Sequence, residues 1–279
     1  GINYAPSEVV DGKCYLSLRG YGQYMYDSAT DSLTKIKGMD GATVGFRCMG
    51  TSAVTLSNNP LFPGISHVTA SSTGIKIYNY ETKNVWTPPL YDEDTDGAGQ
   101  LIRCIVPGEK GDENIYLGGF NTVNCVKLNT QTAEQTLFEA TSAQTDVMLW
   151  HNGNLYVGNY NAGNLVQVNM EDPERHVILL KFKEQYKQAR VHAIAAGDEY
   201  LFAGTIPQEY LYGGALAVIN LKTQERKVEV NLIENQSITS LAYNDGIVFG
   251  GTSVSGGTGT DGSATGEESA VIFAYDANE

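Results

Sequence analysis

The 279-residue chain is poor in charge: Asp, Glu, Lys and Arg together make up only 18% of it. Positive charge is scarcer still, with 18 Lys and Arg against 32 Asp and Glu and a formal net charge of −14. No Lys/Arg cluster exists to neutralise phosphates, which excludes nucleic acid as a partner class and argues against an anionic membrane surface. No apolar run approaches the length of a transmembrane helix, so helical membrane insertion is excluded as well. The four cysteines (Cys14, Cys48, Cys104, Cys125) have no CxxC or metal-type spacing. They read as buried thiols acting as small hydrophobes, and they carry no information about compartment. His67, His151, His176 and His192 form no HExxH or paired metal motif, and no GxSxG elbow is present. The glycine-rich stretch 256–266 lacks a following Lys-Ser/Thr, so it is not a phosphate cradle. No segment carries a long helical period; the best candidate, 182–190, is short.

What is abundant is 31 Gly and 17 Tyr, a composition that suits many short strands joined by tight turns. One short pattern recurs six times: an alternating apolar stretch, then Asp or Asn, two variable residues, and usually Thr or an acid. The Asx positions are Asp27, Asn79, Asn129, Asn169, Asn220 and Asp276, at successive steps of 52, 50, 40, 51 and 56. Asx side chains hydrogen-bond the backbone two residues on, so each position is expected to close a hairpin. An apolar triplet followed by a small residue comes before each turn, as in IYLG (to Gly118), LYVG (to Gly158), LFAG (to Gly204) and VFGG (to Gly251). A further short strand follows most turns.

Four short antiparallel strands per unit of about 40 to 50 residues predict a β-propeller, all-β, with about six four-stranded blades. A β-sandwich would not need the same turn six times in the same place. The Asp/Asn-x-x-Thr turn resembles the turns of bacterial PQQ-like, kelch and YVTN-type repeat propellers. That resemblance spans nearly the whole chain, concerns architecture alone, and lacks both the WD dipeptide and the paired kelch glycines. Residues 1–279 therefore read as a single propeller domain. The sixth turn falls on the last residues, so the last blade lacks an outer strand. Either it closes as a three-stranded blade, or the chain is cut from a longer or more-bladed protein; the second is favoured.

In such an architecture loops at one end of a rigid scaffold carry function. The longest insertions (58–74, 206–214 and 253–268, with the connections 91–100 and 181–190) all fall at that end. Aligning the six inner strands places Ser7, Arg47, Arg103, Asp146, His192 and Thr239 at one equivalent position. Two arginines there need partners. Either Asp146, water and carbonyls hold them, or they floor a site for an anionic or hydroxyl-rich ligand, with Tyr210 and Tyr212 on its wall. The expected ligand-binding set is thus Arg47, Arg103, Asp146, His192, Tyr210 and Tyr212. The leading reading is a non-catalytic bacterial binding or scaffold module, extracellular or at the cell surface, engaging a glycan or protein. The alternative is a uronate-directed polysaccharide lyase in which an arginine neutralises the carboxylate and His192 with a tyrosine moves the protons.

One acidic loop offers a different chemistry. Asp92, Asp94 and Asp96 followed by Gly97 match the start of a DxDxDG calcium loop, but Gln100 and Arg103 occupy the later ligand positions. A weak structural calcium and a solvated acidic loop both fit, and no other cofactor is expected. If the aspartates hold calcium, adding the ion raises the melting temperature by mass action and Asp94→Ala abolishes that rise. An equal rise in the variant places the ion elsewhere.

Overall fold

A computed structural model describes residues 4–6, 9, 11–18, 21–37, 51–55, 65–71, 74–79, 81–88, 102–109, 112–119, 123–197, 199–260 and 269–277. The chain divides by contact into two compact units, Gly1–Glu139 and Ala140–Glu279. The first unit holds three four-stranded antiparallel sheets. They are Tyr4–Pro6 (β1), Lys13–Leu18 (β2), Gly22–Asp27 (β3) and Ser32–Lys35 (β4); then Thr51–Thr55 (β5), Ile65–Ser71 (β6), Gly74–Asn79 (β7) and Val85–Trp86 (β8); then Ile102–Pro107 (β9), Asn114–Gly119 (β10), Asn124–Asn129 (β11) and Gln135–Glu139 (β12). The second unit continues the pattern. Its strands are Gln144–His151 (β13), Asn154–Tyr160 (β14), Asn164–Val168 (β15) and Val177–Lys181 (β16); then Gln188–Gly197 (β17), Tyr200–Pro207 (β18), Ala215–Asn220 (β19) and Arg226–Val230 (β20); then Ser237–Asn244 (β21), Ile247–Ser253 (β22) and Ile272–Asp276 (β23). Each group runs in sequence order, and one bridge, Tyr160 to Arg190, joins the fourth to the fifth. Among the described residues no helix is long and apolar enough to cross a membrane.

Two expectations are corrected. Residues 58–74, read as a loop, contain β6, which pairs with Thr51–Thr55, while the segment 46–49, read as the inner strand, lies outside the described residues. The segment ISHVTAS carries no two-residue apolar alternation, and adjacent Ser66, His67 and Val68 are all fully buried, so both faces of the strand are covered there. The helical candidate 182–190 is helical only over Phe182–Tyr186 (α1). Lys187 is left-handed, with φ 57°, and the chain then enters β17.

The recurrent turn has a common chemistry. The Oδ1 of Asn79 accepts from the backbone N–H groups of Glu81 (3.1 Å) and Thr82 (2.9 Å). Asn129 does the same for Gln131 and Thr132, and Asn220 for Lys222 and Thr223. The threonine in turn accepts from the N–H two residues on, at Asn84, Glu134 and Glu225. Between them a left-handed residue reverses the chain: Lys83 (φ 64°), Ala133 (φ 62°) and Gln224 (φ 64°). Asp27 and Asn169 cap shorter versions, accepting from Ala29 and Glu171.

The apolar cores lie between successive sheets. In the first unit Val68, Ile75 and Ile77 meet Ile102, Ile115, Leu117, Val126 and Leu128. In the second, residues of β14 to β16 and Phe182 meet Val191, Leu201, Ala203, Ala217 and Ile219. Burying each large aliphatic or aromatic side chain stabilises the fold by about 1.5–3 kcal/mol. The small residue closing each apolar triplet permits this approach. A Cβ on Gly158 would lie 2.6 Å from Val191 Cγ1, and one on Gly204 would lie 2.4 Å from Ile238 Cγ2, each in the first strand of the following sheet.

Opposite these glycines the first strands bulge. Arg103, Asp146, His192 and Thr239 are each skipped in the pairing register of their sheets. The four residues aligned from sequence thus hold the same structural position, set by a bulge rather than by plain alternation.

The left-handed turn residues give a direct test. An L-residue in that conformation costs about 1–2 kcal/mol, and glycine avoids the cost while losing some of the gain to its unfolded-state freedom. Ala133→Gly is expected to raise stability by up to about 1 kcal/mol in urea denaturation. A loss of stability would mean that the turn does not adopt this conformation in solution.

Candidate functional site

The buried face of the second unit is polar at one end, and a repeated side-chain device explains it. The residue after each close-approach glycine is Asn159, Thr205 or Thr252, paired across from Thr145, Val191 and Ile238. Thr205 Oγ1 accepts from the N–H of Ala215 (2.8 Å) and donates to Gln188 Oε1 (2.9 Å), while Gln188 Nε2 donates to the Gly213 carbonyl (3.1 Å). One sheet later Thr252 Oγ1 accepts from the N–H of Val271 (2.8 Å) and donates to Gln236 Oε1, whose Nε2 reaches the Ser269 carbonyl. Asn159 serves the shorter connection by accepting from the N–H of Asn164 (2.8 Å). Each pair pins the two feet of an insertion, 206–214 in one sheet and 253–268 in the next.

The pinned insertions interlock. Tyr210 N–H donates to the Thr258 carbonyl (3.1 Å) and Gly257 N–H to the Leu211 carbonyl (2.9 Å). Glycine is needed on the facing segment, since a Cβ at Gly257 would collide with the Gln208 carbonyl and one at Gly259 would lie 2.5 Å from the Tyr210 ring. The glycine-rich stretch is therefore a packing surface for the neighbouring insertion, at least through residue 260. Together with Tyr160, Asn161, Lys183 and Arg190 these segments enclose an open cleft of about 590 Å³. That is the size range of small-ligand sites.

Beside the cleft, Asp146, His192 and Arg190 meet. The Asp146 carboxylate is wholly buried; its Oδ2 lies 2.8 Å from His192 Nδ1 and 3.4 Å from Arg190 Nε. Gln144 Nε2 is 3.4 Å from Oδ1. The Arg190 guanidinium lies over the Tyr160 ring, 4.1 Å from its centre, a cation–π arrangement that fixes its plane. Lys183 Nζ donates to Asn161 Oδ1 (2.9 Å) at the rim.

Of the residues expected from sequence, the structure brings Asp146 and His192 into contact. Tyr210 lines the cleft and is 73% exposed, whereas Tyr212 packs against Gly256 outside the lining. Arg103 is buried in the first unit. Arg47, Asp92, Asp94 and Asp96 lie outside the described residues. Among the described residues no group of three or more His, Cys, Asp or Glu is placed to hold a metal. His192 Nδ1 is turned to Asp146, and His192 is not among the residues that line the cleft. Sequence reasoning missed Arg190, Lys183 and the Gln–Thr pairs. The signal for the pairs was the polar residue after each repeat glycine.

No protein-family model matches the chain, and no curated protein matches its sequence. Solved structures do share its fold. The extracellular domain of a B. thetaiotaomicron protein described as a hybrid two-component system is 15% identical with a TM-score of 0.61, over 99% of this chain and 33% of that one. The extracellular domain of a one-component system from the same organism is 18% identical, with a TM-score of 0.58 over 89% and 31%. The Cps50 (Swd1) β-propeller domain of Myceliophteria thermophila is 11% identical, with a TM-score of 0.62 over 89% and 79%. The chain spans about a third of the two bacterial extracellular domains. At these identities the likeness is one of fold: an all-β chain of propeller type.

The pinning device predicts a specific loss. Thr205→Val keeps the shape but leaves the buried Ala215 N–H and Gln188 Oε1 without their partner. Unfolding in urea should show a cost of about 1–3 kcal/mol, and limited proteolysis should cut first within 206–214. A neutral variant would mean that packing alone holds the loop.

Proposed function

We propose that the chain is a non-catalytic binding module of an extracellular bacterial protein, and that it holds a glycan in the cleft of its second unit. The observation that carries this reading is the exposed Tyr210 ring, set on a wall whose feet are pinned by buried Gln–Thr pairs. A ring exposed to this degree contributes little to stability, while its flat apolar face beside polar groups suits the alternating faces of a sugar. Asn161, Gln208, Thr258 and Thr260 supply amide and hydroxyl groups around it. Such groups both donate and accept, as hydroxyl-rich ligands require. The fold likeness to bacterial extracellular domains agrees with an extracellular setting.

Calorimetric titration against a panel of neutral and acidic oligosaccharides tests the reading. Tyr210→Ala should weaken binding about 3–10-fold and leave the melting temperature unchanged. Absence of binding to every member of the panel, or full affinity in the variant, would remove this function from the cleft.

A further inference from the structure

Resting on that reading, we infer that the sugar recognised in the cleft carries a carboxylate, and that Arg190 and Lys183 read it. The chain as a whole carries a net charge of −14, so its general field repels anions. Against that background the described residues that line the cleft include two cationic side chains, Lys183 and Arg190, and among those described residues Glu209 is the one carboxylate. Neither cation has any acceptor to offer; both groups only donate. A ligand that satisfies them must therefore be rich in acceptors.

Arg190 is held in a way that selects the shape of that acceptor. Its Nε is buried and faces Asp146 at 3.4 Å, while 27% of the side chain is exposed and the residue lines the cleft. With Nε turned to Asp146, the Nη edge is the part of the guanidinium assigned to the ligand. The Tyr160 ring beneath the guanidinium fixes its plane, and His192 on the same carboxylate oxygen steadies Asp146 in turn. A planar donor fork of fixed orientation matches a planar two-oxygen acceptor, which a carboxylate is and a single hydroxyl is not. Lys183, anchored through Asn161, adds a second positive charge at the rim without dictating geometry. The exposed Tyr210 ring completes the set by offering a face for the sugar that bears the acid.

The chemistry separates cleanly from neutral sugar binding with matched probes. Oligogalacturonate and its fully methyl-esterified form share their shape and differ in charge. Calorimetry at low salt should show the acid bound about tenfold or more tightly than the ester, with the gap shrinking at high salt. Arg190→Gln should erase the preference, Arg190→Lys should restore only part of it, and Lys183→Gln should reduce it. Lys183→Gln also serves if Arg190→Gln does not fold. A sulfated neutral oligosaccharide is the third arm: a sulfate preferred over the carboxylate overturns the assignment of a planar acid. Equal binding of acid and ester, unchanged in the Lys183 variant, overturns the inference while leaving glycan binding intact. Binding of neither, together with silence across the neutral panel, overturns both.

Discussion

The structure depends on how closely the first strand of one sheet can cross the second strand of the sheet before it. Side chains of ordinary size would hold those strands apart. Gly158 and Gly204 remove the obstruction at the crossing, where Val191 and Ile238 occupy the space a Cβ would fill. The bulge at His192 or Thr239 lies immediately beyond each contact and is paired to the same region of backbone. A bulge adds a residue without adding a partner, so it tilts the strand and turns one polar side chain out of the alternation. Close packing and polar placement are consequently one local solution, repeated from sheet to sheet within the second unit.

That solution explains why the polar residues of the second unit collect at one end. Beyond the crossing the buried polar groups include Asp146, Gln188, Thr205 and Gln236. Buried polar atoms without partners would be costly. Here they meet one another or the backbone of the insertions, so satisfying them also orders the loops. Around Asp146, one buried carboxylate is met by an imidazole and a guanidinium, and the guanidinium is covered by an aromatic face.

Much of the fold was legible because turn chemistry is local. Asn129, Thr132 and Ala133 form their turn from backbone and side chains within six residues, so spacing alone exposes it. Strands β9, β13, β17 and β21 also fell where the aligned segments IRCI, TDVM, VHAI and ITSL placed them. The second sheet was misread because β6 buries Ser66 and His67, whose partners, Asn79 and Tyr15, are distant in sequence. The candidate site was legible only in part for the same reason. The end of the molecule and Tyr210 follow from loop length, but Arg190 gains its meaning from Tyr160, thirty residues earlier, and no periodicity marks that pair.

The Gln–Thr pairs have a consequence for how such a domain diversifies. Thr205 closes onto Ala215 ten residues later, and Thr252 onto Val271 nineteen residues later, with the same donor and acceptor in each case. Lengthening a loop from ten to nineteen residues adds only about 0.6 kcal/mol of closure entropy. A clasp worth more than that makes the frame indifferent to what it encloses. The insertions then behave as interchangeable cassettes, free to drift in length and composition while the sheets beneath them stay unchanged.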